Sequence, residues 1–362
     1  MSLGSVLVTG GCGFIGFHVV KRLVEDVSFS SVHVISRKPT RNQLPGVNYH
    51  TCDVTSFSVL YPLVVKIEPR TIIHLAARVS DGDDSDQKTL FHINVEGTEN
   101  MICCAATVSS VEAFVHTSPM SILETCVNNL TDETAPILRG RSRANYYSKT
   151  RSLAETTVLA ANDRCGLRTT CLRLCRVYGE RDSSTIPTAL SWFRNGYHHY
   201  QLGDNRNLCD FVSVTNAATA HVLAVKGLLV GIENPEGPTI DGEAFNITDG
   251  MPVPYWDFLR LIWTAAAGTD LKTNLRVIPA WYILALASII EWLFWIFTCN
   301  TKRPRYLRRY LFEETVNIKT FSIEKARKRL GYTPINDRTE SIAKGVQWVL
   351  LEEETKLKAK AA

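Results

Sequence analysis

Three glycines near the amino terminus, Gly10, Gly13 and Gly16, follow one another at three-residue spacing. The β-forming residues before them, from Val6 to Thr9, predict a strand, and the amphipathic residues after them predict a helix. At such a junction Gly10 permits a tight turn, Gly13 lets backbone N–H groups approach a phosphate, and Gly16 lets the helix pack closely on the strand. The spacing therefore predicts a loop that binds the pyrophosphate of a dinucleotide.

The residue that ends the second predicted strand, about 20 residues further on, selects between dinucleotides. A carboxylate at that position would accept hydrogen bonds from the ribose 2′-hydroxyl and repel a 2′-phosphate. This chain has Ser36 there, followed by Arg37 and Lys38. The cations favour NADP over NAD. Solvated loop cations beside NAD remain the alternative.

Small and acidic residues further along the chain complete the expected cofactor site. Asp53 follows the third predicted strand, where a carboxylate can meet the adenine amino group, and Ala76 and Ala77 follow the fourth, where small side chains let the cofactor pass. The expected cofactor-binding residues, apart from two considered below, are Gly10, Gly13, Phe14, Ile15, Gly16, Ser36, Arg37, Lys38, Asp53, Val54, Ala76 and Ala77.

The elements that must position these residues alternate along the first half of the chain. Short β-branched runs alternate with helical stretches, which predicts an α/β fold with a doubly wound parallel sheet of the Rossmann type. We expect a dinucleotide-binding domain over residues 1–180. Residues 181–362 are expected to form a smaller substrate lobe, interleaved with returning strands such as Glu243–Thr248.

The segment Ile278–Phe297 is about as long as the ~20 residues that cross a bilayer, and it contains three tryptophans and a single charge, Glu291. It predicts a membrane-associated segment. A very apolar core helix is the alternative. Because a carboxylate at mid-bilayer depth costs about 2.5–3.5 kcal/mol, we expect the segment to enter one leaflet and return, or to lie along its surface, with the cations of Lys302–Arg309 at anionic headgroups.

Composition disfavours several classes of partner. The net charge is only +4 and most cations are scattered, so nucleic acid is not an expected partner. The ten cysteines include no CxxC pair, so neither a metal site nor a disulfide framework is expected. The first residues contain no basic-then-apolar leader, so the catalytic part is expected to face the cytosol.

The motifs TGGCGFIG, CDV, HLAA and FHINVEGTEN, with the region around Tyr147, resemble the extended short-chain dehydrogenase/reductase superfamily. Residues Leu202–Ala224, the motif EAFNITDG, the apolar segment and ARKRLGYTP narrow the resemblance to the 3β-hydroxysteroid dehydrogenase family, and within it to the branch that acts on sterol 4α-carboxylates. The resemblance implies oxidation of the 3β-hydroxyl of a sterol or triterpenoid with NADP or NAD, followed by loss of a 4-carboxylate where one is present. It also implies a monotopic protein with lipid as a partner on the cytosolic face of the endoplasmic reticulum.

The resemblance also assigns catalytic positions. It places the general base at Tyr147, and the position four residues later, a lysine in the family, is Arg151 here, which would also contact the nicotinamide ribose. Pro119 occupies the position of the hydroxyl residue that binds the substrate oxygen, so that Ser118 or Ser121 would have to supply the hydroxyl. Because arginine cannot relay a proton, a slower or altered catalyst is expected.

Two other functions remain open on the sequence alone. Pro119 and Arg151 are compatible with a cofactor-binding scaffold or sensor. The second alternative is a sugar-nucleotide epimerase or dehydratase of the same superfamily, but the apolar segment Ile278–Phe297 argues against it. Whether the chain forms a homodimer is also open. The aromatic residues considered for an apolar substrate pocket are Trp192, Phe193, Tyr197 and Trp256.

Overall fold

The computed structural model describes residues 2–79, 86–124, 130–139, 145–234, 239–269, 275–298 and 309–361. The strands in these ranges are β1 (Gly4–Thr9), β2 (Phe29–Ser36), β3 (Val47–Thr51), β4 (Thr71–His74), β5 (Ala113–Pro119), β6 (Arg168–Leu174), β7 (Arg176–Tyr178), β8 (Tyr200–Leu202), β9 (Leu208–Cys209), β10 (Phe211–Ser213), β11 (Glu243–Ile247), β12 (Val253–Pro254) and β13 (Arg276–Ile278). The α-helices are α1 (Phe14–Glu25), α2 (Phe57–Ile67), α3 (Gln87–Phe91), α4 (Gly97–Thr107), α5 (Tyr146–Ala160), α6 (Thr185–Arg194), α7 (Val214–Glu233), α8 (Tyr255–Ala267), α9 (Ala280–Phe297), α10 (Arg309–Val316), α11 (Glu324–Leu330) and α12 (Arg338–Ala361).

A seven-stranded sheet in the order β11-β6-β5-β4-β1-β2-β3 forms the centre of the molecule, and all its neighbouring strands are parallel. Side chains alternate across the sheet, so Val6 and Val8 of β1 pack with α1 and α7, whereas Leu7 packs with α2, α4 and α5 on the other face. This arrangement confirms the predicted doubly wound α/β fold. It brings the carboxyl ends of the strands to one edge, where ligands of such sheets bind.

The later part of the chain builds a second hydrophobic core. Residues of α6, α8 and α12 pack around Tyr178 and Phe211 in this cluster, and the ring centroids of Phe211 and Phe258 lie 3.6 Å apart. The chain also returns to the main sheet. β11 pairs with β6. Tyr332, which follows α11 much later in the chain, is fully buried and donates a hydrogen bond to the carbonyl of Thr248, just after β11, at 2.9 Å.

Two of the described helices, α7 and α9, are long and apolar enough to cross a membrane by length and composition. More than half of α7 is buried in the sheet layer, whereas only 6% of α9 is buried. Trp281, Trp292 and Trp295 of α9 are all more than half exposed. Core burial therefore accounts for the apolar character of α7 but not for that of α9.

The chain leaves the second lobe at the start of α9 and returns to it at the end of α10, and these two points lie close together. A Cβ at Gly203 would lie 3.6 Å from the Ala280 Cβ and 3.7 Å from the Val316 Cγ1, so the start of α9 and the end of α10 are neighbours. At the other end of α10, the Arg309 backbone N–H donates to Glu291 Oε1 at 2.9 Å. The carboxylate of α9 is thus paired. Of the predicted basic cluster, residues 302–308 lie outside the described ranges.

Candidate active site

A cleft of about 980 Å³ opens at the carboxyl edge of the main sheet and extends towards the second core. It brings together most of the residues that the sequence predicts for the site. Those that line it are Gly10, Gly13, Phe14, Ile15, Gly16, Ser36, Arg37, Asp53, Val54, Ala76, Ala77, Ser118, Ser121, Tyr147 and Arg151. Lys38, which was also expected to bind cofactor, does not line the cleft.

The glycine loop is tightly packed between β1 and α1. Gly10 has a φ of +71°, and its N–H donates to the Ile35 carbonyl at 3.2 Å. The helix begins at Phe14, so Gly16 lies in its first turn rather than before it, as the sequence had suggested. A Cβ on Gly16 would lie 2.1 Å from the Gly10 carbonyl oxygen, so only glycine lets the helix approach this closely.

Polar groups hold the far end of the cleft in a fixed conformation. Ser36 is the last residue of β2, and Arg37 follows it into the lining. Asp53 Oδ1 accepts hydrogen bonds from the N–H and the hydroxyl of Thr55, at 3.0 and 2.9 Å. Asn100 donates to the Val54 carbonyl at 3.0 Å. Both bonds from Thr55 go to the same carboxylate oxygen of Asp53, Oδ1.

A buried chain of hydrogen bonds orders the Ala76 backbone. The Thr98 hydroxyl donates to the Asn94 carbonyl at 2.7 Å, so its oxygen accepts from His74 Nε2 at 3.1 Å. His74 Nδ1 then accepts from the Thr9 hydroxyl at 2.8 Å, and the Thr9 oxygen accepts the Ala76 N–H at 3.2 Å. This sequence of donors fixes His74 as the neutral Nε2–H tautomer.

Tyr147 and Arg151 lie one turn apart on α5, and both face the cleft. The Asn145 side chain caps the helix by accepting the Ser148 N–H at 2.7 Å. Burial raises the pKa of the Tyr147 phenol above its ordinary value, and the charge of Arg151 lowers it in part. Arg151 is only 3% exposed, and its Nη2 donates to the Thr117 carbonyl. Its Nε and Nη1 have no hydrogen-bond partner among the described residues.

The two serines differ in their surroundings. Ser118 is 1% exposed, and its hydroxyl has no partner within the described ranges. The Ser121 hydroxyl accepts a hydrogen bond from Ser148 at 2.9 Å, which ties it to the start of α5. Pro119 and Leu174 pair in register at the ends of β5 and β6 and both line the cleft. Among the described residues, the Ser118 hydroxyl has no partner and the Ser121 hydroxyl still has its own hydrogen to donate, so both serines keep an unused donor at the cleft.

A buried ion pair attaches α5 to the sheet. Arg173 Nε and Nη2 of β6 both donate to Glu155 Oε1, at 2.9 and 2.6 Å. Glu155 is fully buried and Arg173 almost so. Removal of one partner of such a pair leaves an uncompensated charge, so this contact fixes the position of the helix that carries Tyr147.

The end of the cleft next to the second core contains residues that sequence reasoning missed. They include two cations, a buried carboxyl group and aromatic rings: Arg176, Lys319, Asp210, Phe211, Tyr255 and Phe321. Burial raises the pKa of Asp210 to about 6. These residues come from separate stretches of the chain, and no local pattern in the sequence marks them.

The aromatic residues predicted for the pocket lie elsewhere. Trp256 is buried in the second core, with Trp192 and Phe193 packed against the same cluster. Tyr197 is 55% exposed. None of the four lines the cleft. Trp192, Phe193 and Trp256 pack into the lobe's own core instead, whereas Tyr197 lies at the surface.

Known proteins resemble this chain along nearly its whole length. The sterol-4-alpha-carboxylate 3-dehydrogenase (decarboxylating) of Schizosaccharomyces pombe is 32% identical over 96% of this chain and 98% of its own. Two solved structures share the fold. The Bordetella bronchiseptica enzyme WbmH, in complex with NAD+, has a TM-score of 0.70 at 18% identity and covers 95% of this chain and 98% of its own. The UDP-glucose 4-epimerase of Thermotoga maritima, with UDP-glucose, has a TM-score of 0.70 at 20% identity and covers 96% and 99%.

A family model matches residues 7–277, which include the glycine loop, Tyr147, Arg151 and most of the cleft. This span is about three quarters of the chain, and the family expected from the motifs is confirmed. The chain belongs to the 3-beta hydroxysteroid dehydrogenase/isomerase family.

Proposed function

We propose that this protein is a membrane-associated oxidoreductase that oxidises the 3β-hydroxyl of a sterol or triterpenoid to a ketone with a nicotinamide dinucleotide. The observation that carries the proposal is the single cleft that joins the glycine loop to Tyr147 and Arg151 and continues into the second lobe. The name of the Schizosaccharomyces pombe relative supports the reaction.

The residues present fit a dinucleotide. Gly10, Gly13 and Gly16 line the cleft at the start of α1, where backbone N–H groups would bind a pyrophosphate. At the other end, Arg151 lines the cleft on the same helix as Tyr147, where its charge would lie near the nicotinamide ribose. The absence of a carboxylate at Ser36, with Arg37 in the lining, supports NADP over NAD.

Tyr147 would take the proton from the substrate hydroxyl. Because burial raises the pKa of this phenol, the nearby cation of Arg151 is needed to stabilise the tyrosinate. Ser118 would donate its free hydroxyl hydrogen to the substrate oxygen, with Ser121 as the second candidate. When bound, the nicotinamide ring supplies the hydride acceptor.

Loss of a carboxylate follows from the same oxidation. A 3-ketone with a 4-carboxylate is a β-keto acid, in which the bond from C4 to the carboxyl carbon breaks and its electron pair moves to the C3 oxygen. Arg151 and Ser118 would stabilise the resulting enolate. Arg176 and Lys319 line the substrate end and would attract an anionic substrate.

We also infer that α9 enters one leaflet of the endoplasmic reticulum membrane from the cytosolic side, and that α10 returns the chain to the body of the protein. The exposed apolar surface of α9 and the proximity of Ala280 to Val316 support this topology. In sealed microsomes, protease should digest both a tag before Met1 and a tag after Ala362. Protection of one tag alone would establish a span and contradict the proposal.

Turnover in detergent tests the function. The purified protein should oxidise a 3β-hydroxysteroid with NADP, and Tyr147→Phe should lose at least 100-fold in kcat, in line with removal of a general base. Full activity of Tyr147→Phe would refute the mechanism. A wild type that binds NADP but oxidises no secondary alcohol would favour the alternative of a cofactor-binding scaffold or sensor. The name of the Schizosaccharomyces pombe relative, a dehydrogenase, does not support that alternative.

A further inference from the structure

The turn between β7 and α6 contacts both the main sheet layer and the second core. His18 of α1 donates a hydrogen bond from Nε2 to the Glu180 carbonyl at 2.9 Å. Two residues later, Asp182 Oδ2 accepts the N–H of Ile186 at 2.9 Å, in the first turn of a helix that packs in the second core. Arg181 lies between these two attachments, so its backbone is held from both sides.

The guanidinium of Arg181 lies between two aromatic rings. Its Cζ is 3.9 Å from the ring centroid of Phe17 on α1 and 4.2 Å from that of Trp348 on α12, which packs against the second core. Both distances are well within the range of a cation–π contact. The φ of Arg181 is +68°, in the left-handed region that arginine rarely adopts. Such strain persists only where the surroundings determine the conformation.

The same guanidinium reaches the loop between β2 and β3. Arg181 Nη1 donates to Asn42 Oδ1, and Asn42 Nδ2 donates in turn to the carbonyl of Cys12 in the glycine loop at 2.9 Å. Asn42 also has a positive φ, of +52°. Because Arg181 donates to Oδ1, the amide presents its NH2 group to Cys12. Arg181 therefore orients the side chain that ties one loop to the other.

The loop that Asn42 holds carries the cations proposed to select the cofactor. Residues 37–41 include three of them, and Arg37 lines the cleft. Neither Arg181 nor Asn42 is among the residues that line it. Any effect of Arg181 on a bound dinucleotide must therefore pass through the loop.

We propose that Arg181 is a positioning residue, through which the second core fixes the loop of residues 37–46 and so sets the selectivity for the 2′-phosphate of NADP. The role rests on the proposed preference for NADP. Charge-assisted hydrogen bonds to a phosphate depend on the geometry of the donors, so a displaced loop weakens them. NAD has no 2′-phosphate and loses little when the loop moves.

Simple packing is the competing role for Arg181. A side chain between Phe17 and Trp348 would stabilise the contact of α1 with α12 without any effect on cofactor choice. A separate contact also holds the end of the loop nearer β3, where the Leu44 N–H donates to the Tyr49 hydroxyl oxygen at 2.7 Å. The two roles differ in what they predict for NADP relative to NAD.

Two variants and a matched control separate these roles. Arg181→Met keeps an unbranched side chain between the rings and removes the N–H donors. Asn42→Gly removes the amide, and glycine adopts a positive φ at little cost. Arg168→Met is the control, because it also removes one positive charge and breaks ion pairs, to Asp163 and Asp241, but lies at the start of β6, away from the carboxyl edge of the sheet.

The dissociation constants of NADP and NAD are measured by calorimetric titration, the fold by thermal unfolding, and the loop by amide hydrogen exchange of residues 37–46. Arg181→Met and Asn42→Gly should each weaken NADP binding about tenfold, the scale of one charge-assisted hydrogen bond, and NAD binding less than about threefold. Exchange in the loop should become faster in both. Arg168→Met should leave the affinity ratio and the exchange unchanged.

A double-mutant cycle tests whether Arg181 acts through the loop cations. In the Arg37→Asp background, Arg181→Met should change NADP affinity less than about threefold, because the cation that the loop presents is already absent. If Arg181→Met fails to fold, Asn42→Gly gives the same readouts with Arg181 still between its two rings.

Equal losses of NADP and NAD affinity, equal NADP losses with and without Arg37→Asp, or unchanged exchange in the loop would overturn the proposal and leave Arg181 as packing. A wild type that does not prefer NADP would refute the proposed choice of cofactor. Loop exchange would then decide the positioning role by itself, since faster exchange in Arg181→Met but not in Arg168→Met upholds it and equal exchange overturns it.

Discussion

Alanine at Gly16 and alanine at Gly13 should separate cofactor binding from stability. A Cβ at Gly16 would lie 2.1 Å from the Gly10 oxygen and 2.7 Å from the Gly11 Cα, against 3.4 Å for an ordinary contact. The loop and α1 must therefore separate by about 1 Å, and a misplacement of that size costs on the order of 100-fold in function. We expect Gly16→Ala to weaken NADP binding about 100-fold and to lower the free energy of unfolding by about 1–3 kcal/mol, the range for overpacked sites.

Gly13→Ala is the matched control in the same loop. A Cβ there would meet only the Gly10 oxygen, at 3.1 Å, and Gly13 has a φ of −81°, which any residue adopts. Its stability should stay within about 0.5 kcal/mol of wild type, while the methyl group obstructs the phosphate and weakens NADP binding. Calorimetric titration and urea unfolding measure the two quantities. Unchanged NADP affinity in Gly16→Ala would refute the loop assignment, and equal destabilisation by both variants would refute the packing argument.

Three further predictions concern the cofactor, the catalytic pair and pH. Arg37→Asp should move the ratio of kcat/KM values from NADP towards NAD, and kinetics that are unchanged with both cofactors would contradict the cation hypothesis. Arg151→Lys with Pro119→Ser should raise turnover of a simple 3β-hydroxysteroid if the two residues are tolerated drift, and leave it equal or lower if they suit another geometry; steady-state kinetics distinguish these. Burial raises the pKa of Asp210 to about 6 from 3.8, so its contribution to stability is full below about pH 4 and is lost as the pH rises through 6. Asp210→Asn should therefore gain up to about 3 kcal/mol relative to wild type between pH 4 and 7 in urea unfolding, and a constant difference would contradict this.

Local patterns in the sequence were sufficient to predict that most of the expected cofactor-binding residues lie together at one edge of the sheet. Gly10, Ser36 and Asp53 each come at or just after the end of a strand, and parallel strands bring those positions to one edge of the sheet. Lys38 is the exception. Lys38 and Asp53 both lie two residues beyond the end of a strand, yet only Asp53 lines the cleft, so distance from the strand end does not by itself decide which residues reach it.

The substrate half was not predictable in the same way. Asp210, Tyr255 and Phe321 meet only through the tertiary fold, since Asp210 Oδ2 accepts the Phe321 N–H at 2.8 Å across 111 residues of sequence. The predicted tryptophans failed because hydrophobicity indicates burial but not which surface covers the residue. The spare donors of Arg151 were equally hidden, although its departure from lysine was visible in the sequence.

The return of the apolar segment was predicted from the sequence, but its connection to the cleft is visible only in the structure. The segment's sequence predicts a return to the same side of the membrane. In the structure, Val316 at the end of α10 lies beside Gly203, as Ala280 at the start of α9 does. The chain then runs directly from Val316 into the cleft wall, where Lys319 and Phe321 are lining residues within five positions of the helix. Backbone bonds fix this connection, since the Lys319 N–H donates to Leu208 at 2.8 Å and its carbonyl accepts from Asp210 at 2.9 Å. The surface proposed to meet lipid and the end of the cleft proposed to hold a sterol are therefore joined by a few residues of chain, and we expect a substrate that partitions into the bilayer to enter the cleft beside this connection.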